Sequence, residues 1–208
     1  MNKITEINHP VISHKLGYLR DKNTDSQMFR RLVAELTQFL AYEATRDMKL
    51  EKIDIETPMS STTVSRIEDR PVIVSIMRAG NGMLDSMLNA LPFCSVGHIG
   101  IYRDKFIDNT VEYYFKLPED VTGKDILLVD PLLATGDTAI ASLDRLKQYE
   151  VGKIKLITIL TCKHGTDRVH HFHPDVEILT LSANEDINEK GYLVPGLGDA
   201  GNRLFGTV

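Results

Sequence analysis

A chain of 208 residues with 42% hydrophobic and 25% charged side chains can bury the core of one sizeable domain, which excludes disorder. Its formal net charge of -5 and pI of about 5.8 exclude a general nucleic-acid or anionic-membrane surface, so an anionic substrate must meet local positive groups. No apolar run reaches membrane-span length, Met1 to Pro10 lacks the apolar stretch of a secretory signal, and Cys94 and Cys162 read as unrelated buried thiols of a cytoplasmic protein.

In chain order, Asp25-Ser26 starts a helix in which Phe29, Leu32, Val33, Leu36, Phe39 and Leu40 recur at helical spacing as far as Ala44. Leu50 to Ile55 alternates apolar residues with charges and predicts a half-buried strand. Val72 to Met77 is a continuous apolar run, followed by Arg78-Ala79-Gly80-Asn81-Gly82 and a helix through Met83, Leu84, Met87, Leu88 and Leu91. Val96 to Tyr102 and Asp125 to Asp130 predict two more core strands, with Val111 to Phe115 as one arm of a polar, aromatic hairpin between them. A helix from about Thr138 to Tyr149, a strand over Ile154 to Thr161, a short helix and a strand over Val176 to Leu181 complete the alternation. After Leu181 regular structure is expected to fade. Wholly apolar strands alternating with helices predict an α/β fold with a parallel sheet covered on both faces.

Ligands of parallel α/β sheets sit beyond the carboxyl ends of the strands. There the Asp125–Asp130 strand delivers Asp130, and Ala134, Thr135, Gly136 and Thr138 bring hydroxyls and free N–H groups to a helix N-terminus. Those groups suit a phosphate monoester, and the carboxylate suits the hydroxyls of a sugar. Read alone, the segment equally fits a plain strand–loop–helix connection with an Asp-Thr cap. It is neither a P-loop nor a dinucleotide fingerprint. Arg78, on a glycine-rich loop after the first apolar strand, offers a planar fork to phosphate oxygens, or is a surface arginine on a turn. The segment from Gly191 to Thr207 carries five glycines and one proline in 17 residues. Its backbone could line a small pocket for a flat heterocycle, or it is a loosely packed terminus. His164, His170, His171 and His173 match no zinc spacing and read as neutral or helix-capping histidines.

Val129-Asp130-Pro131-Leu132-Leu133-Ala134-Thr135-Gly136 resembles the loop of the type I phosphoribosyltransferases that binds PRPP (5-phospho-α-D-ribose 1-diphosphate). Most members of that fold carry two adjacent acidic residues there, and Pro131 in the second place resembles the uracil-specific branch. Asp137 stands where many relatives have Gly, which puts a carboxylate close to the phosphate pocket. Met77 to Met83 resembles the pyrophosphate-gripping loop of uracil phosphoribosyltransferases, and Gly191 to Gly201 their uracil-binding segment. His9-Pro10 with His14-Lys15-Leu16, Tyr42-Glu43-Ala44 and Phe205-Gly206-Thr207 extend the likeness to nearly the whole chain.

The resemblance implies one type I phosphoribosyltransferase-like domain over residues 1–208, with an N-terminal region to residue 70, a PRPP-binding core over 71–182 and a glycine-rich C-terminal hood over 183–208. It implies transfer of the phosphoribosyl group of PRPP to uracil, giving UMP and pyrophosphate, with Mg²⁺ carried by PRPP rather than by a protein metal site. Arg78, Arg103, Asp130 and Asp199 become the catalytic candidates. PRPP would meet Arg78, Arg103, Asp199 and the run Asp130, Pro131, Leu132, Leu133, Ala134, Thr135, Gly136, Asp137 and Thr138. Uracil would meet the backbone of Leu193, Gly198 and Ala200, with Asp199 between base and PRPP. The implied partners are the two substrates and further copies of the chain, as a homodimer or higher homo-oligomer to which the amphipathic helix offers a surface. GTP is a candidate effector, and neither nucleic acid nor membrane is expected. Two rivals keep the fold: a transferase for another base, such as orotate, for whose carboxylate Arg203 is the basic candidate in the tail, and a regulatory nucleotide- or RNA-binding protein.

Overall fold

The computed structural model describes residues 3–104 and 109–207, with Arg103, Asp104 and Asn109 described by their backbone. Strand β1 (Ile4–Glu6) and helix α1 (Pro10–Arg20) precede the predicted amphipathic helix α2 (Ser26–Ala44). Asp25 caps α2, accepting from the Met28 N–H at 2.8 Å, and the helical period turns Phe29, Leu32, Val33, Leu36 and Leu40 to one buried face. That face is covered by helices and strands of the same chain and belongs to the core, while Met28, Phe39 and Tyr42 stay exposed.

Strand β2 (Leu50–Glu56) and a strand absent from the sequence reading, β3 (Ser61–Ile67), form a two-stranded antiparallel arm. The strand expected over Leu50 to Ile55 is therefore present, with one face partly covered. Ile53 and Ile55 share one partly covered face, whereas the two-residue period puts Leu50 on the other face, exposed. Next come β4 (Val72–Met77), α3 (Asn81–Ala90), β5 (Ser95–Asp104), β6 (Asn109–Lys116), β7 (Ile126–Val129), β8 (Leu132–Leu133) and α4 (Asp137–Lys147). Then follow β9 (Ile154–Ile157), β10 (Leu160–Cys162), α5 (Lys163–Phe172), β11 (Glu177–Thr180), β12 (Ser182–Ile187), β13 (Leu193–Val194) and α6 (Ala200–Phe205).

The main sheet runs β1-β11-β9-β7-β4-β5-β6, parallel except for β6, which returns against β5 as the predicted hairpin. Alternate residues of its strands supply two cores. Ile73, Leu127 and Val129 meet α2, α3 and α6 on one face, and Val72, Val74, Ile126 and Leu128 meet α4 and α5 on the other.

Two further expectations are corrected. The apolar run Ile154 to Thr161 is not one strand: β9 ends at Ile157, and after Thr158-Ile159 the chain re-pairs as β10 in a second sheet of order β13-β12-β10-β8. Nor does structure fade after Leu181. The tail builds β12, β13 and α6, because its glycines fall mostly in the turns, such as Gly196 (φ 58°) and Gly198 (φ 80°), where left-handed backbone is required. The second sheet and α6 stand over the carboxyl end of the main sheet as a hood.

Candidate active site

Strand order reverses between β4 and β7. From β4 the chain goes outward to β5, while β7 leads the other way to β9 and β11. Their following helices accordingly lie on opposite faces: α3 buries Met83 and Met87 in one core, and α4 buries Leu143 and Leu146 in the other. The neighbouring loops therefore part at the carboxyl edge and leave a crevice at the switch point. Asp130 immediately follows β7, and Arg78 immediately follows β4, whose Ser75 pairs with Val129.

The Arg78 loop lies tight against the end of β7. A Cβ on Gly80 would stand 2.5 Å from the Val129 carbonyl oxygen and 2.6 Å from that of Ile76, so no other residue fits. Ser75 Oγ, buried, donates to Asn81 Oδ1 at 2.7 Å and fixes the start of α3. The Arg78 side chain is exposed, and its guanidinium donates to two neutral acceptors of the tail, Thr207 Oγ1 and Asn202 Oδ1, both at 3.3 Å. Among the described residues no carboxylate pairs with it, so its charge is available to an anion. Arg103 lies on β5, with its backbone paired to Thr110; its side chain is outside the described residues.

Burial pushes the Asp130 carboxyl up to about 7, the Leu132 N–H pulling the other way. Pro131 to Leu133 turn from β7 into β8 and lean on β10: the Ile159 and Leu160 N–H groups donate to the Pro131 carbonyl, and Thr161 Oγ1 to that of Leu133. Gly136, at φ 86°, then starts α4. The first helical bond runs from the Ile140 N–H to the Gly136 carbonyl at 2.8 Å, leaving the Thr138 and Ala139 N–H groups without an intrahelical acceptor. Beside them Thr135 Oγ1 donates to Asp137 Oδ2 at 3.0 Å. Arg168, from α5, lies 2.7 Å from Asp137 Oδ1 and donates to the Thr135 carbonyl at 2.6 Å. The Asp137 carboxylate is thus held in an ion pair.

The tail closes over both loops. Asp199 caps α6 by accepting from the Asn202 N–H at 2.8 Å, and a Cβ on Gly201 would stand 3.3 Å from Asp199 Oδ1 and 3.8 Å from Arg78 Nη2. At the other end of the tail, a Cβ on Gly191 would stand 3.2 Å from Thr135 Cγ2. The side chains of Leu193 and Ala200 are buried in the core, while Gly198 and Asp199 are exposed.

The "Uracil phosphoribosyltransferase" family model matches residues 6–207. The chain belongs to the uracil phosphoribosyltransferase family. It is 50% identical to the uracil phosphoribosyltransferase of Polaromonas naphthalenivorans and 49% identical to that of Finegoldia magna, each over 208 residues and the full length of both chains. Among solved structures, the AQ2163 protein from Aquifex aeolicus aligns with a TM-score of 0.92 at 34% identity, over 97% of both chains. The adenine phosphoribosyl transferase of Trypanosoma brucei aligns with a TM-score of 0.59 at 12% identity, over 88% of this chain and 84% of that one, a likeness of fold.

Within this uracil phosphoribosyltransferase fold, the sequence reading missed the residues that hold the hood. Arg20 of α1 donates to Glu185 Oε1 at 2.5 Å and to the Gly196 carbonyl at 2.9 Å, and the Gly196 N–H donates to Glu185 Oε2 at 2.8 Å. Burial works to raise the Glu185 carboxyl, but the bonds from Arg20 and Gly196 overcome it and hold it below the ordinary carboxylate range. Arg203 is an anchor as well. Its guanidinium donates to the carbonyls of Leu19, Leu197 and Asp21 at 2.7–2.8 Å and lies 4.3 Å from the centroid of the Phe29 ring, so it is not free to receive a carboxylate from a base.

The rest of the polar inventory lies elsewhere. A cavity of about 650 Å³, lined by Arg70, Lys124, Lys155 and others, opens at the amino edge of the sheet and contains none of the predicted site residues. His170 bonds the Val176 carbonyl at 3.1 Å, and burial lowers the pKa of His173. Among the described residues no three His, Cys, Asp or Glu side chains gather around a common point, and no helix is long and apolar enough to cross a membrane.

Proposed function

We propose that the chain transfers the phosphoribosyl group of PRPP to uracil, releasing pyrophosphate and forming UMP. The observation that carries this reading is the meeting, at one switch-point crevice, of an α4 N-terminus whose first N–H groups lack intrahelical acceptors, a carboxyl at Asp130, the cation Arg78, which no carboxylate among the described residues pairs, and a tail exposed at Gly198 and Asp199.

In this reading the α4 N-terminus, with Ala134 to Thr138, holds the 5-phosphate, and Asp130 accepts from the ribose hydroxyls. Pro131, Leu132 and Leu133, pinned to β10, fix the spacing between those two contacts. Bond breaking at the anomeric carbon makes the sugar oxocarbenium-like and puts negative charge on pyrophosphate. Arg78 and Arg103 stabilise that charge, and PRPP enters as its magnesium complex, the metal offsetting charge on the same oxygens. The backbone of Leu193, Gly198 and Ala200 reads the donors and acceptors of uracil. Asp199, held by its cap to Asn202, stands between base and sugar and orients the attacking ring nitrogen.

Arg203 being engaged supports uracil over orotate. The two free cysteines, Cys94 partly and Cys162 fully buried, support a reducing cytoplasmic setting. The β2–β3 arm, with Met59 92% exposed at its tip, supports a homodimer or higher homo-oligomer. GTP as effector is tested by adding it to the same assay. That assay supplies PRPP, Mg²⁺ and uracil, orotate or hypoxanthine. UMP and pyrophosphate in equal amounts, from uracil alone, are expected; turnover of another base with none of uracil would overturn the assignment.

A further inference from the structure

Asp137 is the first residue of α4, where its carboxylate and the phosphate of a ligand would compete for the same positive helix end. A side chain at this place can fold over the free Thr138 and Ala139 N–H groups and repel an incoming dianion. In the structure it is held off that course from two sides. Thr135 Oγ1 donates to Oδ2, and Arg168 pairs with Oδ1 at 2.7 Å. The same Arg168 nitrogen donates to the Thr135 carbonyl at 2.6 Å, so one cation on α5 both neutralises the carboxylate and fixes the loop backbone that precedes Gly136. The loop has no slack to provide this itself, because α5 sits directly against it. A Cβ on Gly165 would stand 2.4 Å from the Ala134 carbonyl oxygen, and Cys162 Sγ donates to that oxygen at 3.3 Å. The side chains of the pair are only partly exposed, 37% for Arg168 and 20% for Asp137, so water screens them incompletely.

We propose that Arg168 is a positioning residue for PRPP: by neutralising Asp137 and holding the Thr135 carbonyl, it keeps the α4 N-terminus open to the 5-phosphate. The proposal rests on reading that N-terminus as the 5-phosphate site. Arg168 acts through Asp137 and the loop, so its loss weakens binding of PRPP in ground and transition states alike and raises KM while kcat holds.

The test is a two-by-two set, wild type, Arg168→Ala, Asp137→Asn and the double variant, assayed for UMP formation and, separately, for PRPP binding by calorimetry without a base. Arg168→Ala is expected to raise the KM and Kd for PRPP about tenfold, with kcat within about twofold. Asp137→Asn alone lowers the PRPP KM, and the double variant returns it to within about threefold of wild type, since the charge that needed neutralising is gone. Arg168→Lys, which keeps the charge, serves should the alanine variant fold poorly, and is expected to stay within about threefold of wild type. An unchanged Kd in Arg168→Ala, or a double variant as weak as Arg168→Ala, overturns the proposal. A wild type that binds PRPP but turns over no uracil would refute the base assignment and leave this inference standing, because calorimetry reads PRPP binding without a base.

Discussion

Below a pH of about 7 the Asp130 carboxyl holds its proton, because burial disfavours the carboxylate more than the Leu132 N–H favours it. If the ionised group is what accepts from the ribose hydroxyls, kcat/KM for PRPP should rise with pH and level off above about 7. Asp130→Asn, neutral at every pH, should lose that rise. PRPP has ionisations of its own, so the comparison of the two profiles is the test; superimposable profiles would remove Asp130 from substrate binding. Asp130 was legible in the sequence because an apolar run points at it. Arg168 was not, since its bond to Thr135 joins residues 33 positions apart and no spacing rule links α5 to the start of α4. Arg203 shows the opposite hazard: a basic residue in a glycine-rich tail looks like a ligand contact, and its bonds to three backbone carbonyls make it an anchor.

At the scale of elements, apolar periodicity found what the main sheet buries. It found β4 and β7, covered on both faces, and α2, with one apolar stripe. It missed β3, all but two of whose residues are exposed, and the second sheet, whose strand β12 reads Ser-Ala-Asn-Glu-Asp-Ile. Such strands are held by pairing and by buried ion pairs rather than by apolar alternation. The Arg20–Glu185–Gly196 clamp is the main instance, and it gives a stability prediction. Folding lowers the Glu185 pKa, so its contribution is complete above the ordinary value of 4.5 and disappears as pH falls through the lowered folded value. Glu185→Gln should cost about 3 kcal/mol at pH 7, as for a broken buried pair. Denaturant unfolding should show that gap closing below pH 4.5; a gap that stays constant into acid would show that the charge of Glu185 does not hold the hood.

For the whole molecule, the chain's path explains why the site lies where it does. The reversal of strand order between β4 and β7 opens a crevice that the second sheet and α6 cover, and Arg78 touches the tail through Asn202 and Thr207. One arginine thus joins the loop after β4 to the hood. Membership of the uracil phosphoribosyltransferase family states the chemistry to be expected, and the crevice states which atoms are in reach of it. The most direct measurement is steady-state UMP formation from uracil and Mg-PRPP by wild type and Arg78→Ala. If Arg78 stabilises the departing pyrophosphate, its removal should lower kcat by about a hundredfold or more. A variant with wild-type kcat would contradict the account, because the group that joins the crevice to its hood would then take no part in the reaction.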